Sequence, residues 1–409
     1  MGLKKLILNF CLRIVDLLTF WIQPEPGTIT FISLTHNRLS SDFALIDEQL
    51  KKDGRWKINY DLMVFRKNLW GDFLYFLNCL RQLPEIKRSQ LVILNDNNYV
   101  ISHMKPRHTK VLQVWHACGA VKQFGNQIRR QYSVGNYDAV LACSPVWKKP
   151  YSEAFAMSEN QVKITGCPRL DTLLDESAMK KRSARLLKKY PQLRDRKILL
   201  YAPTFRGNIM DGMYPAPFSA QKLTDCLPED WILVSKYHPL LRHSIEIDDR
   251  SLDLSGEDLY TLMWMSSAMV SDFSSVIFDY SLLMKPMIAY VPDLEEYAQT
   301  IGLNIPYLKD FPGPVTVTEE EIAEAVQVTS PEDITRRRKF RDKYFTHIDR
   351  NNTRRVVQLI DDMMEQPAQD AADSGGCHPV PFSVGHERTE KAPGSCTETE
   401  SGRRMRNRT

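Results

Sequence analysis

Residues 268–291 read AMVSDFSSVIFDYSLLMKPMIAYV. Two unbroken apolar runs, 268–271 and 287–291, flank a stretch at 274–284 that reads as a helix. Strands buried on both faces read as continuous apolar runs, so this is a strand–helix–strand unit of a parallel sheet. The rhythm extends toward the N-terminus. Strands are expected at 231–236 and 197–202, with a helix at 258–266. An earlier series is expected at 28–34, 91–95, 111–115, 139–142 and 162–165, with helices at 41–52, 145–157 and 171–189 between them. Alternating β and α segments imply an α/β fold of doubly wound parallel sheets, and the number of strands requires two sheets.

The 409 residues, 43% hydrophobic and 25% charged, have ordinary globular composition and suffice for two domains with full cores. A net charge of +4 is too mild to indicate nucleic-acid binding. The eight cysteines are scattered, with no CxxC pair, so neither a zinc site nor a disulfide framework is expected. A reducing cytosol is the simplest setting for them. The basic, polar stretch 180–197 marks the end of the first domain, giving domains at 27–190 and 191–365, closed by a helix at about 352–365. Residues 366–409 are rich in Gly, Pro, Ser, Thr and charge and read as a disordered tail.

Residues 1–26 hold the most apolar stretch, but Arg13 and Asp16 interrupt it, and neither a signal peptide nor a spanning helix fits. On a helical wheel Lys5, Asn9, Arg13, Asp16 and Gln23 form a narrow polar face, and Leu6, Ile7, Phe10, Ile14, Leu17, Leu18, Trp21 and Ile22 fill the rest. That pattern suits a helix lying in a membrane interface. It equally suits one packed on its own protein or on a twin subunit of a homo-oligomer.

In open α/β sheets ligands bind beyond the carboxyl ends of the strands. The residues just beyond each strand here are rich in chemistry: His116, then the small turn 117–120 with Gly119; Gly166, Arg169 and Asp171; Pro203, Thr204 and Arg206; His238; and Ser271, Asp272, Ser274 and Ser275. Histidine is the natural general base near neutral pH, although a lone histidine is more often structural. Ser274 and Ser275 open a helix whose free N–H groups suit a diphosphate, or they simply cap it. Asp279, on the same helical face, could accept from a ribose or glycerol hydroxyl, or be an ordinary helix residue. Lys122, Arg129 and Arg130 could hold an anionic acceptor, or face water. The small turn would let substrate approach the backbone closely.

The segments VWHACGAVKQFG, TGCPRLDTLL, ILLYAPTFRG, LVSKYHPLL and AMVSDFSSVIFDYSLLMKPMIAYVPDLEEY, which lie between Val111 and Tyr297, resemble the CDP-glycerol glycerophosphotransferase family. These are bacterial enzymes of teichoic-acid and related wall- or capsule-polymer synthesis. The resemblance implies a GT-B-like pair of Rossmann-type domains, with the acceptor on the N-terminal side and a CDP-alcohol donor in the C-terminal domain. It implies peripheral attachment at the cytoplasmic face of the cell membrane. It maps the family's two histidines to His116 and His238, and its serine-rich donor motif to Ser271, Asp272, Ser274 and Ser275. CDP-glycerol is the expected donor, with CDP-ribitol as the alternative. The expected acceptor is a lipid-linked saccharide or polyol-phosphate chain.

No DxD-like acidic pair lies in these segments, so no metal is required, and Mg²⁺ accompanying the donor stays open. Two other readings also stay open, because fold alone does not fix chemistry. One is a glycosyltransferase using a nucleotide sugar, and the other is a non-catalytic membrane-bound partner of another polymer enzyme.

Overall fold

A computed structural model describes residues 2–39, 41–208, 212–237, 250–295, 297, 302–328 and 331–365. The first series of strands is β1 (Glu25–Ser33), β2 (Lys57–Leu62), β3 (Ser89–Leu94), β4 (Lys110–Gln113), β5 (Ala139–Ala142) and β6 (Val162–Ile164). They pair in the order β2-β1-β3-β4-β5-β6, and every ladder is parallel. Alternation along β3 explains why residues 91–94 are all apolar. Leu91 and Ile93 face one core with Phe31, Phe43 and Ile46, while Val92 and Leu94 face the other. Both faces are covered, so no position can be polar without a partner.

The second series begins with β7 (Lys197–Tyr201) and a short antiparallel ribbon, β8 (Arg206–Asn208) with β9 (Gly212–Tyr214). It continues through β10 (Trp231–Ser235), β11 (Ser251–Asp253), β12 (Ala268–Ser271), β13 (Met287–Tyr290) and β14 (Val315–Thr316). The sheet order is β11-β10-β7-β12-β13-β14, again all parallel. With the ribbon set aside this is the 3-2-1-4-5-6 order of dinucleotide-binding folds, whose ligand crevice opens where the order reverses. That place lies between β7 and β12. In the first sheet the corresponding reversal lies between β1 and β3. The expected fold, two doubly wound parallel sheets, is met.

One apolar core joins the two halves. Trp147, after β5, packs edge-on against Phe278 of the helix Val276–Ser281, with ring centroids 5.0 Å apart, and stacks on Tyr344 at 5.3 Å. Polar links reinforce it: Gln123 N–H donates to the Gly302 carbonyl (3.1 Å), and Asn304 N–H donates to the Val121 carbonyl (2.8 Å). The helix Asn352–Glu365, assigned by sequence to the second domain, returns to the first sheet, where Val356 and Ile360 pack with Phe31 and Leu91. The tail assignment at 366–409 lies outside the described residues.

The helix Leu3–Leu18 turns much of its polar face inward. Lys5 Nζ donates to the Gln131 carbonyl (2.6 Å), Asn9 accepts from the Tyr99 hydroxyl (2.8 Å), and Asp16 pairs with Lys87 (2.6 Å). Only Leu8 and Leu12 of this helix are buried, while Leu3, Phe10 and Leu17 stand outward, each about two-thirds exposed or more. Leu69, Trp70, Phe73 and Leu77 of the adjoining helix Leu69–Arg88 are exposed as well. Among the described residues no helix is long and apolar enough to cross a membrane.

Candidate active site

The backbone leaves β4 through a strained turn. Trp115 is buried with φ +62°, the left-handed region that a bulky residue rarely adopts. Its N–H is held by Gln113 Oε1 (2.9 Å), and its ring packs on His116 with centroids 3.9 Å apart. This turn directs His116 toward the end of β3. His116 Nδ1 faces two acceptors, the Asn95 carbonyl (3.2 Å) and Asp96 Oδ1 (3.5 Å). Both can only accept from it, so the neutral ring carries its proton on Nδ1 and its lone pair on Nε2. The His116 side chain is 54% exposed and Asp96 is 15% exposed, so a largely covered carboxylate backs an accessible imidazole.

Asp96 is itself fixed across the β1/β3 reversal, where the Thr35 hydroxyl donates to Oδ2 (2.6 Å). Burial pushes its carboxyl up, but the hydrogen bond and charge of His116, with Thr35 and His36, outweigh that and hold it below its ordinary value. It therefore stays ionised. The sequence reading missed Asp96. The signal was present, because Asp96 directly follows the strand expected at 91–95.

A second network occupies the reversal between β7 and β12. Asp272 Oδ1 accepts the Thr204 N–H (2.8 Å), and its other oxygen pairs with Arg206 Nη1 (2.5 Å). Asp293, not singled out by sequence, takes the Nε and Nη2 donors of Arg206 at 2.6 and 2.9 Å. Arg206 is thus held between two carboxylates, rather than standing free toward a phosphate as the sequence suggests. Pro203 and Thr204 are buried beside it.

Lys122, expected near an acceptor or in water, instead reaches into this network. Its Nζ donates to Thr204 Oγ1 (2.9 Å) and lies 4.7 Å from the Phe205 ring centre. Burial pushes the ammonium down to about 8, Asp272 draws it up and Arg206 pushes it further down. No carboxylate lies within ion-pair distance of it among the described residues. Ser274 and Ser275 are half-buried beside the network, and the Ser275 hydroxyl makes no cap hydrogen bond to its helix. The plain-cap reading of Ser275 is not realised.

Several expected site residues serve the fold. Ser271 Oγ donates inward to the Ala202 carbonyl (2.7 Å). Asp171 accepts from the backbone of Asn352 and Thr353 (3.0 and 2.8 Å) and from the Thr353 hydroxyl, capping the returning helix. Gly166, at φ +76°, lets that helix approach, because a Cβ there would lie 1.9 Å from Asn352 Oδ1. Arg169 pairs with Asp42 (2.7 Å) and donates to the His116 carbonyl (2.8 Å), so it positions the histidine turn.

Gly119 does not open the backbone to substrate. A Cβ there would meet Trp147 at 2.4 Å and Phe278 at 2.7 Å, so the turn is small because the two halves pack through it. Asp279 is buried, and its Oδ1 accepts from Tyr260 (2.5 Å) and Cys118 (3.2 Å), which leaves it no contact with a donor sugar. Arg129 and Arg130 are exposed. His238 lies outside the described residues.

The model of the family described as CDP-Glycerol:Poly(glycerophosphate) glycerophosphotransferase matches residues 17–362. The chain belongs to this family. A teichoic acid ribitol-phosphate primase of Bacillus spizizenii is 30% identical over 370 residues, covering 86% of this chain and 95% of that protein. A teichoic acid glycerol-phosphate primase of Bacillus subtilis is 27% identical over 393 residues, covering 89% of this chain and 100% of that protein. Among solved structures, the wall teichoic acid polymerase TagF superposes with a TM-score of 0.69 at 18% identity, over 87% of this chain and 93% of that one. That likeness carries the fold alone. Membership makes this glycerophosphotransferase-family chain a transferase of the polyol-phosphate type, and the segments that carry the resemblance all fall inside the matched span.

Proposed function

We propose that the protein moves a polyol-phosphate unit from a CDP-alcohol donor to a hydroxyl of a lipid-linked or polymer acceptor, releasing CMP, in teichoic-acid-like wall or capsule polymer synthesis. Glycerol phosphate is the first candidate for the unit. The observation that carries this reading is the Asp96–His116 pair at the end of β3 and β4, an oriented imidazole with its lone pair on Nε2. Nε2 takes the proton of the acceptor hydroxyl, and the oxygen attacks the β-phosphorus of the donor. The bond from that phosphorus to the bridging oxygen breaks, and CMP leaves with the electron pair.

Lys122, Thr204 Oγ1 and the hydroxyls of Ser274 and Ser275 meet the diphosphate, and His238 offsets charge on the leaving phosphate. Phosphoryl transfer depends mainly on positioning and charge neutralisation, which this inventory provides. The step as drawn uses no metal, and Mg²⁺ with the donor would add charge without changing these roles.

A ribitol-phosphate unit is the second reading, favoured by the 30% identity to a ribitol-phosphate primase. The outward apolar face of the helix Leu3–Leu18 supports peripheral attachment at the cytoplasmic face of the membrane. A hollow of about 720 Å³ beside that helix, lined among others by Arg13, Arg107 and His108, suits an anionic surface.

The test is a donor panel of CDP-glycerol, CDP-ribitol and UDP-sugars with mass analysis of the product. CMP release with gain of a polyol phosphate is expected. Transfer of a sugar with release of UMP or UDP would replace this reading with the glycosyltransferase. His116→Ala should lower turnover about 10²–10⁴-fold in a folded protein, the range of a lost general base.

A further inference from the structure

Three cysteines from three different strand ends meet in the interior. Cys118 lies in the turn after His116, Cys143 directly follows β5, and Cys167 follows the turn after β6. All are buried, and their Sγ atoms lie within 4.8 Å of one another, with Cys143 and Cys167 at 3.4 Å. A fourth group arrives from the other half of the molecule. Asp279 Oδ1 is 3.2 Å from Cys118 Sγ, and its orientation is fixed by the Tyr260 hydroxyl at 2.5 Å.

Apolar packing accounts poorly for this arrangement. A buried carboxylate needs strong donors, and beside the Tyr260 hydroxyl Asp279 is met by a weak one, the Cys118 thiol. Three sulfurs and a carboxylate are instead a complete ligand set for a borderline-soft divalent ion. Zinc–sulfur bonds of about 2.3 Å in a tetrahedron set neighbouring sulfurs about 3.8 Å apart. Cys143 and Cys167, at 3.4 Å, are near that value and all three sulfurs lie within 4.8 Å of one another, while the Asp279 carboxylate, placed against Cys118, would turn toward the other two to close the site.

We propose that Cys118, Cys143, Cys167 and Asp279 form a closed, four-ligand site for a divalent cation of the zinc class. On binding, each thiol releases its proton to solvent and a metal–sulfur bond replaces the S–H bond. Four protein ligands leave no position for a reacting water, which makes the site structural. Tyr260 then supplies the outer hydrogen bond that ligating carboxylates usually carry. The Arg169 guanidinium, close enough to Cys118 and Cys167 to interact with both, offsets part of the ligand charge. Such an ion would fasten the His116 turn of the first half to the helix Val276–Ser281 of the second.

The test uses the full chain, purified without chelator and without a polyhistidine tag, with metal measured by elemental mass spectrometry. About one zinc per chain is expected. Cys143→Ser, Cys167→Ser and Asp279→Asn should each lose it or hold it more weakly, and Cys226→Ser, at an exposed thiol, should keep it. Because a core variant can misfold, the wild-type chain is also stripped and titrated with Co²⁺. Sulfur-to-cobalt charge-transfer absorption with intense tetrahedral bands, saturating at about one equivalent, is expected. A folded wild-type chain that carries no zinc and gives no such absorption overturns the proposal. So does a Cys143–Cys167 disulfide found by mass analysis of the unreduced chain.

Discussion

Replacing Asp96 by Asn probes the imidazole without touching it. Asparagine keeps the size of the side chain and can still meet the Thr35 hydroxyl, so the β1/β3 crossing should survive. What goes is the negative charge 3.5 Å from His116 Nδ1. At that distance a charge pair is worth about 1 kcal/mol in water-like surroundings and nearly 5 kcal/mol at an effective dielectric of about 20. The imidazole is 54% exposed, which places the pair toward the lower figure. The imidazolium formed when His116 takes the acceptor's proton should therefore lose about 1–2 kcal/mol, which lowers kcat roughly five- to thirtyfold. An amide that flips can also donate to Nδ1 and fix the proton on Nε2, the wrong tautomer for a base, and this would deepen the loss. Donor KM should change little, because Asp96 makes no contact with the Lys122–Thr204 network. The assay is steady-state CMP release at saturating acceptor, with His116→Ala as the floor. A kcat within twofold of wild type in folded Asp96→Asn protein would refute the dyad.

The Lys122 ammonium, pushed down to about 8, should make donor affinity depend on pH. A diphosphate favours the charged form, so donor KM should be lowest below that pH and rise above it, and Lys122→Met should flatten the rise. Gly119→Ala forces a methyl group against Trp147 and Phe278. It should cost roughly 1–3 kcal/mol in urea unfolding, the usual penalty of overpacking, and a loss under about 0.5 kcal/mol would mean that the halves yield there. Phe10→Glu with Leu17→Glu removes two outward apolar side chains, each worth about 1.5–3 kcal/mol on burial, so vesicle co-sedimentation should weaken at least a hundredfold. Unchanged sedimentation would remove this helix from membrane binding.

The parallel sheets were legible because their strands are buried on both faces and leave unbroken apolar runs. The strands that escaped notice lack that signature. β2, Lys57–Leu62, is an edge strand with half of its residues exposed, and β11 and β14 span only three and two residues. His116 was legible from its place just beyond the carboxyl end of a strand. Its partner was missed although Asp96 also directly follows an expected strand, because only the β3/β4 register shows that the two meet. Arg206 looked like a free phosphate ligand because charge in a sequence carries no information about which carboxylates face it. The cysteines looked scattered for a related reason: each sits at a separate strand end, so their spacing follows the βα repeat rather than any metal-binding motif.

The division of labour between the halves follows from charge. Arg206 lies between Asp272 and Asp293, so that trio carries one net negative charge, which Lys122 offsets. The network is therefore close to neutral before the donor arrives, and the cation it turns to a diphosphate is Lys122, a residue of the first half. The turn that carries Lys122 begins with His116, so the group proposed to take the acceptor's proton and the cation proposed to meet the donor's phosphates are six residues apart on one rigid segment. Arg169, the Gly119 packing and the hydrogen bonds from Gln123 and Asn304 all hold that segment in place. Joining the two roles on one turn keeps nucleophile and diphosphate in a fixed relation even where the sheets shift slightly, and phosphoryl transfer gains more from such alignment than from any single charge.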